Sequence, residues 1–99
     1  MSRVLPSHEV LQTASNLSIE HDKPIVLSYW ELSVENKIFI GIKEYIENDT
    51  KQVEQFLVKS EEEYTSTIVK IYRSALEFIV ETENSIYIVS ASIKTKRVS

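Results

Sequence analysis

The one arrangement in this 99-residue chain that hints at proton transfer is an imidazole between carboxylates, Glu20-His21-Asp22. Such neighbours favour the charged imidazolium. In an extended segment, however, residues 20 and 22 share a side while His21 faces away, so adjacency alone supplies no catalytic contact. A hydrolase centred on His21 needs a cleft that gathers it with carboxylates from distant strands; a solvated corner would do no chemistry. His8 has no partner in sequence. No recognised ligand spacing links the two histidines with Glu9 or Asp22, so no metal is expected. With no cysteine, disulfides, thiolate metal sites and cysteine nucleophiles are excluded. The serines lack a glycine-flanked elbow, and the single glycine, Gly41, cannot build a phosphate-cradling loop. No catalytic residue and no cofactor is assigned, and the chain reads as a non-enzyme.

Contact chemistry is better represented. Nine aromatic residues are more than a thin core holds, so some must line a surface where they can anchor a protein interface, grip a peptide or stack bases. Trp30 and Phe39 are the preferred anchors, because they alternate with the aliphatic sets Ile25/Leu27 and Ile38/Ile40/Ile42. Lys94, Lys96 and Arg97 form the only concentrated positive charge, read either as a solubilising tail or as a dock for an anionic partner. The net charge of −4 opposes general affinity for a phosphate backbone, which disfavours nucleic acid. Asn16-Leu17-Ser18 and Asn48-Asp49-Thr50 fit the glycosylation tripeptide, a pattern that matters only in the secretory pathway.

The elements that must position these residues are mostly strands. A composition 42% hydrophobic and 26% charged predicts folding, and 99 residues fit one β-rich domain with a thin core. Charges break every apolar run well short of a membrane span, and no basic-then-apolar leader opens the chain, so a soluble, cytoplasmic, non-secreted protein is expected. Residues 75–82 and 85–90 flank the polar turn Glu83-Asn84 and predict a β-hairpin, with Asn tolerating a left-handed turn backbone. Alternation predicts further strands over 24–30, 37–43, 53–59 and 64–72. Pro24 suits the first position of its strand, and Gly41 marks a bulge, bend or close approach. Residues 44–52 read as a hairpin loop, and Glu61-Glu62-Glu63 as a solvated turn.

The ends are less regular. Residues 1–22 read as an arm in which Ser7 could cap one or two helical turns, or as an extended segment in which Leu17 and Ile19 pair as a short strand. Residues 92–99 read as a basic tail. About six strands without a long amphipathic helix predict a single antiparallel meander. Apolar residues on both faces of several strands require it to curl into a small barrel or sandwich, or to bury a face against another subunit. Near-absence of glycine favours an open, strongly curved sheet or an oligomer over a closed barrel.

Lys23-Pro24-Ile25, Tyr29-Trp30, Ile40-Gly41-Ile42, residues 57–66 and Lys70-Ile71-Tyr72 resemble small uncharacterised proteins encoded by large DNA viruses of algae and protists. The resemblance spans about residues 23–90, with Ser28 and Thr67 in place of an expected Asp and Pro. It implies a setting, host cytoplasm or a virion, and no functional residue. The expectation is an interaction or structural module that contacts a protein partner or itself. The alternative is a small-barrel binder of a peptide or single-stranded nucleic acid through Trp30, Phe39 and the basic tail.

Overall fold

The computed structural model describes residues 5–98; the first four residues of the expected arm and the last of the expected tail lie outside them. The described residues are mainly β, with seven strands in two sheets rather than one six-strand meander. Helix α1 (His8–His21) opens the described chain. Strand β1 (Ile25–Val26), the short helix α2 (Trp30–Val34) and strands β2 (Phe39–Glu47), β3 (Thr50–Val58), β4 (Ile68–Ser74), β5 (Glu77–Thr82), β6 (Ile86–Ser90) and β7 (Lys94–Arg97) follow. One sheet has the order β1-β6-β5-β4, the other β3-β2-β7, and neither closes into a barrel. The β2–β3, β4–β5 and β5–β6 pairs are antiparallel, whereas β1 runs parallel to β6 and β7 parallel to β2.

The predicted β5–β6 hairpin is present, registered from Glu77↔Ser90 to Glu81↔Ile86. Its turn is shaped by Thr82, whose Oγ1 accepts from the amides of Asn84 and Ser85, and Asn84 does not take a left-handed backbone. The segment expected as a loop over 44–52 is mostly strand. Asn48 and Asp49 alone make the turn, with φ of 53° and 62°, as a two-residue hairpin connection requires. Ser60 accepts from the Glu63 amide as an N-cap would, but no helix follows and the Glu63 carboxylate pairs with Lys59.

The N-terminal arm is a full helix. Ser7 caps it, its Oγ accepting from the Val10 amide at 3.2 Å, with Glu9 in the first turn and Asp22 ending it in the left-handed region. Leu17 and Ile19 do not form a strand. Val10, Ala14 and Leu17 follow helical spacing onto the sheet, which leaves Ile19 on the solvent side, 81% exposed. The strand expected over 24–30 also stops early: beyond Val26 the chain turns, the Trp30 amide donates to the Leu27 carbonyl, and Trp30 starts α2.

Two cores result. On one face of the four-stranded sheet, Val10 and Ala14 of α1 and Trp30 of α2 pack on Ile79, Ile86 and Ile88. On its other face, Val80 and Val89 cluster with Ile40 and Leu57 of the three-stranded sheet and with Ile38 just before β2, together with Tyr29 and Ile93. Strand β5 is therefore covered on both sides, which is why its apolar residues do not alternate with polar ones.

Candidate functional site

Four-stranded sheet and helix meet in a charged clamp. Glu77, Ile79 and Glu81 share the β5 face beneath α1. Glu77, 6% exposed, accepts from the Ser7 amide at 2.7 Å and holds the helix entrance. Glu81, 4% exposed, accepts from His21 Nδ1 at 2.9 Å and from Lys23 Nζ at 2.7 Å, and Tyr72 Oη lies 3.5 Å away. Lys23 also donates to the Thr82 carbonyl at 2.8 Å. Burial pushes the Glu81 carboxyl up, but the bonds from Lys23 and His21 outweigh it and hold the group below its ordinary value. Desolvation, then the Glu81 charge, raises the Tyr72 phenol.

His21 is thus brought to a carboxylate from a distant strand, the contact on which a hydrolase reading depended. The arrangement is nonetheless a tie, because Glu81 is engaged on both sides and shut off from water. Among the described residues no group of three or more His, Asp or Glu is gathered as a metal ion would require. His8 is exposed at the start of α1.

The second arrangement lies on the outer face of the three-stranded sheet. Ile38, Ile40 and Leu57 point inward to the core, so the alternate residues point out. Register places Lys94, Phe39 and Val58 in one row across the sheet, and Lys96, Gly41 and Phe56 in the next. A groove of about 830 Å³ opens over this face, lined by Phe39, Phe56, Val58, Tyr64 and Val98, with Lys43, Glu54, Glu61 and Glu83 at its margins. The Phe56 and Tyr64 rings are 5.4 Å apart and tilted, and Tyr64 is 60% exposed. Gly41 supplies the floor through close approach, as one of its sequence readings anticipated: a Cβ there would meet Val58 Cγ2 at 2.8 Å and Phe56 Cε2 at 3.3 Å. The missing side chain lets these neighbours close over the strand.

The sequence-derived anchors divide. Phe39 is half-buried on the groove wall, with Lys96 Nζ 4.9 Å from its ring centroid. Trp30, by contrast, is 7% exposed in the core beneath α1, so the surface position expected for it is not found. The strand pattern that assigned it an outward face does not exist at that residue. Lys94, Lys96 and Arg97 are not a loose tail but strand β7, fixed on the β2 edge. Lys94 and Lys96 stand beside Phe39 on the groove face, while Arg97 projects to the other face and pairs with Glu44, which Lys51 also holds. The Lys51 hydrogen bond is foremost in keeping the Glu44 carboxyl below its ordinary value. Phe56 and Tyr64 were missed as partners of Phe39. The signal for Phe56 was the alternation of residues 53–59, which puts it on the face opposite Leu57; Tyr64 lies outside that run and meets Phe56 across the turn.

Fold and site together define a two-sheet β domain with one covered sheet and one open aromatic face. No protein family, curated protein or solved structure matches the chain at a significant level. No helix among the described residues is long and apolar enough to cross a membrane.

Proposed function

We propose that this protein is a non-enzymatic interaction module that binds another protein through the outer face of its three-stranded sheet. The observation that carries the reading is the half-open aromatic surface of Phe39, Phe56 and Tyr64 on a rigid, registered sheet, the residue types that anchor protein interfaces. α1 and sheet-on-sheet packing cover the apolar residues of the two cores, whereas Phe39, Phe56 and Tyr64 stay partly open together on one face. The net charge of −4 counts against a nucleic-acid strand as occupant. The setting, host cytoplasm or virion, rests on the viral resemblance alone.

A photo-crosslinking amino acid placed at Phe39 or Tyr64 tests the reading in native extract, with Leu76, 78% exposed at the β4–β5 turn, as control. Protein adducts from the two groove positions and not from Leu76 are expected. Adducts equal at all three positions, or none, would overturn the proposal.

A further inference from the structure

We infer that the partner binds through an acidic extended segment that adds a strand to the free edge of β7; this rests on the interaction reading above and names the partner's chemistry. The Val98 amide donates to the Ile42 carbonyl, so Val98, Lys96 and Lys94 turn their backbone groups toward β2. Thr95 and Arg97 turn theirs outward. No described strand pairs with that side of β7, and its outward amides and carbonyls are placed to meet one further strand. The other long edges are less open. Thr65 occupies the β3 edge at Leu57, giving its amide to the Leu57 carbonyl and accepting the Leu57 amide on Oγ1, and β4 loses its register between Ile68 and Lys70.

Charge selects the occupant. Lys37, Lys94 and Lys96 stand around a recess of about 260 Å³ beside this edge, lined also by Ile38 and Phe39. Lys37 pairs with Glu35 at 3.2 Å, and Arg97, on the opposite face, shares Glu44 with Lys51. Lys94 is exposed with no ion-pair partner among the described residues, and Lys96 rests over the Phe39 ring. The edge is thus positive on a chain whose net charge is −4. Edge lysines repel the same edge of a second copy, which closes β7 to self-pairing and leaves it open to a strand of opposite charge. Alternate carboxylates of such a strand stand beside Lys94 and Lys96, the cross-strand pairing that opposite charges favour. Phe39 is the neighbour of Lys94 on β2, so the added strand borders the aromatic groove.

The full chain, labelled with nitrogen-15, is titrated with a capped seven-residue peptide of alternating glutamate and valine and followed by amide shifts and hydrogen exchange. Saturation is expected to shift the β7 amides and to slow exchange at Thr95 and Arg97 about tenfold or more, with affinity falling about tenfold between 50 and 500 mM salt. Two control peptides separate charge from strand pairing: a lysine–valine counterpart, and the glutamate–valine peptide N-methylated throughout, which keeps its charge but cannot donate to the β7 carbonyls. Each should bind at least tenfold more weakly. The Lys94→Glu/Lys96→Glu variant, shown folded by circular dichroism, should lose the acidic peptide by a similar factor; if it does not fold, the control peptides decide on the native chain. No binding of the acidic peptide at 1 mM, equal binding of either control, or a folded variant that binds unaltered would each overturn the inference. Absence of acidic-peptide binding together with groove-specific adducts from native extract would sink the acidic strand while leaving the interaction reading in place.

Discussion

β5 and β2 are both strands with large side chains on their two faces, yet they end in opposite surroundings. β5 has Ile79 and the carboxylates of Glu77 and Glu81 under a helix, and Val80 against the second sheet. β2 has Ile38, just before it, and Ile40 in the core, but its other row of Phe39, Gly41 and Lys43 looks outward. The contrast shows why aromatic residues on a small sheet cannot be assigned to core or surface from their strand alone. What decides is whether another element is long enough to lie across that face. α1, at fourteen residues, covers the four-stranded sheet, and no described element covers the other.

If the covered sheet carries the stability and the open one the contacts, truncation should cost unequally. Ile79→Ala, at a fully buried site, is expected to lose about 3–4 kcal/mol in urea unfolding, whereas Phe39→Ala on the groove wall should lose less than half as much. Equal losses would break the contrast.

The clamp offers the next largest effect. Glu81→Ala leaves Lys23 and His21 without their carboxylate and should cost about 2 kcal/mol, less than a fully buried pair because both cations keep some access to water. Because the native carboxyl is held below its ordinary value, its contribution is present above the usual carboxylate range. It is lost as pH falls through the lowered native value. The variant's acid-unfolding profile should therefore be flatter in that window; a native-like slope would assign the acid sensitivity elsewhere.

On the open sheet, Gly41→Ala sets overpacking against Val58 and Phe56 against the smaller gain from a stiffer unfolded chain. A net loss of about 1 kcal/mol is expected, together with displaced Phe56 and Tyr64 resonances. The smallest effect lies at the β4–β5 turn, where Ala75 sits at a φ of 51° that L side chains resist. Ala75→Gly should raise stability by about 0.5–1 kcal/mol without altering the groove.

Much of the strand content was legible because alternation is local. The β5–β6 hairpin, the Ile38/Ile40/Ile42 row and the outward place of Phe39 all follow from a two-residue beat. The Ser7 cap was equally readable, being a contact between residues three apart. The length of α1 was missed although Val10, Ala14 and Leu17 carry helical spacing, since Leu17 and Ile19 also satisfy a strand pattern. Trp30 was misplaced for the related reason that an apolar run of seven residues does not say where its strand ends. The tie of His21 and Lys23 to Glu81, the parallel pairings of β1 and β7, and the meeting of Tyr64 with Phe56 join residues far apart in the chain or across a turn. No pattern within a short window encodes them.

The two parallel pairings also set the order in which the molecule assembles. Each hairpin closes a short loop, whereas joining Ile25 to Ile86 and Phe39 to Lys94 means holding most of the intervening chain in place first. The hairpins should form early and the β1 and β7 seams last. The same seams are then the first to let go, so the amides of Val26 and Lys96 should exchange with deuterium well ahead of those of Ile79 and Ile88.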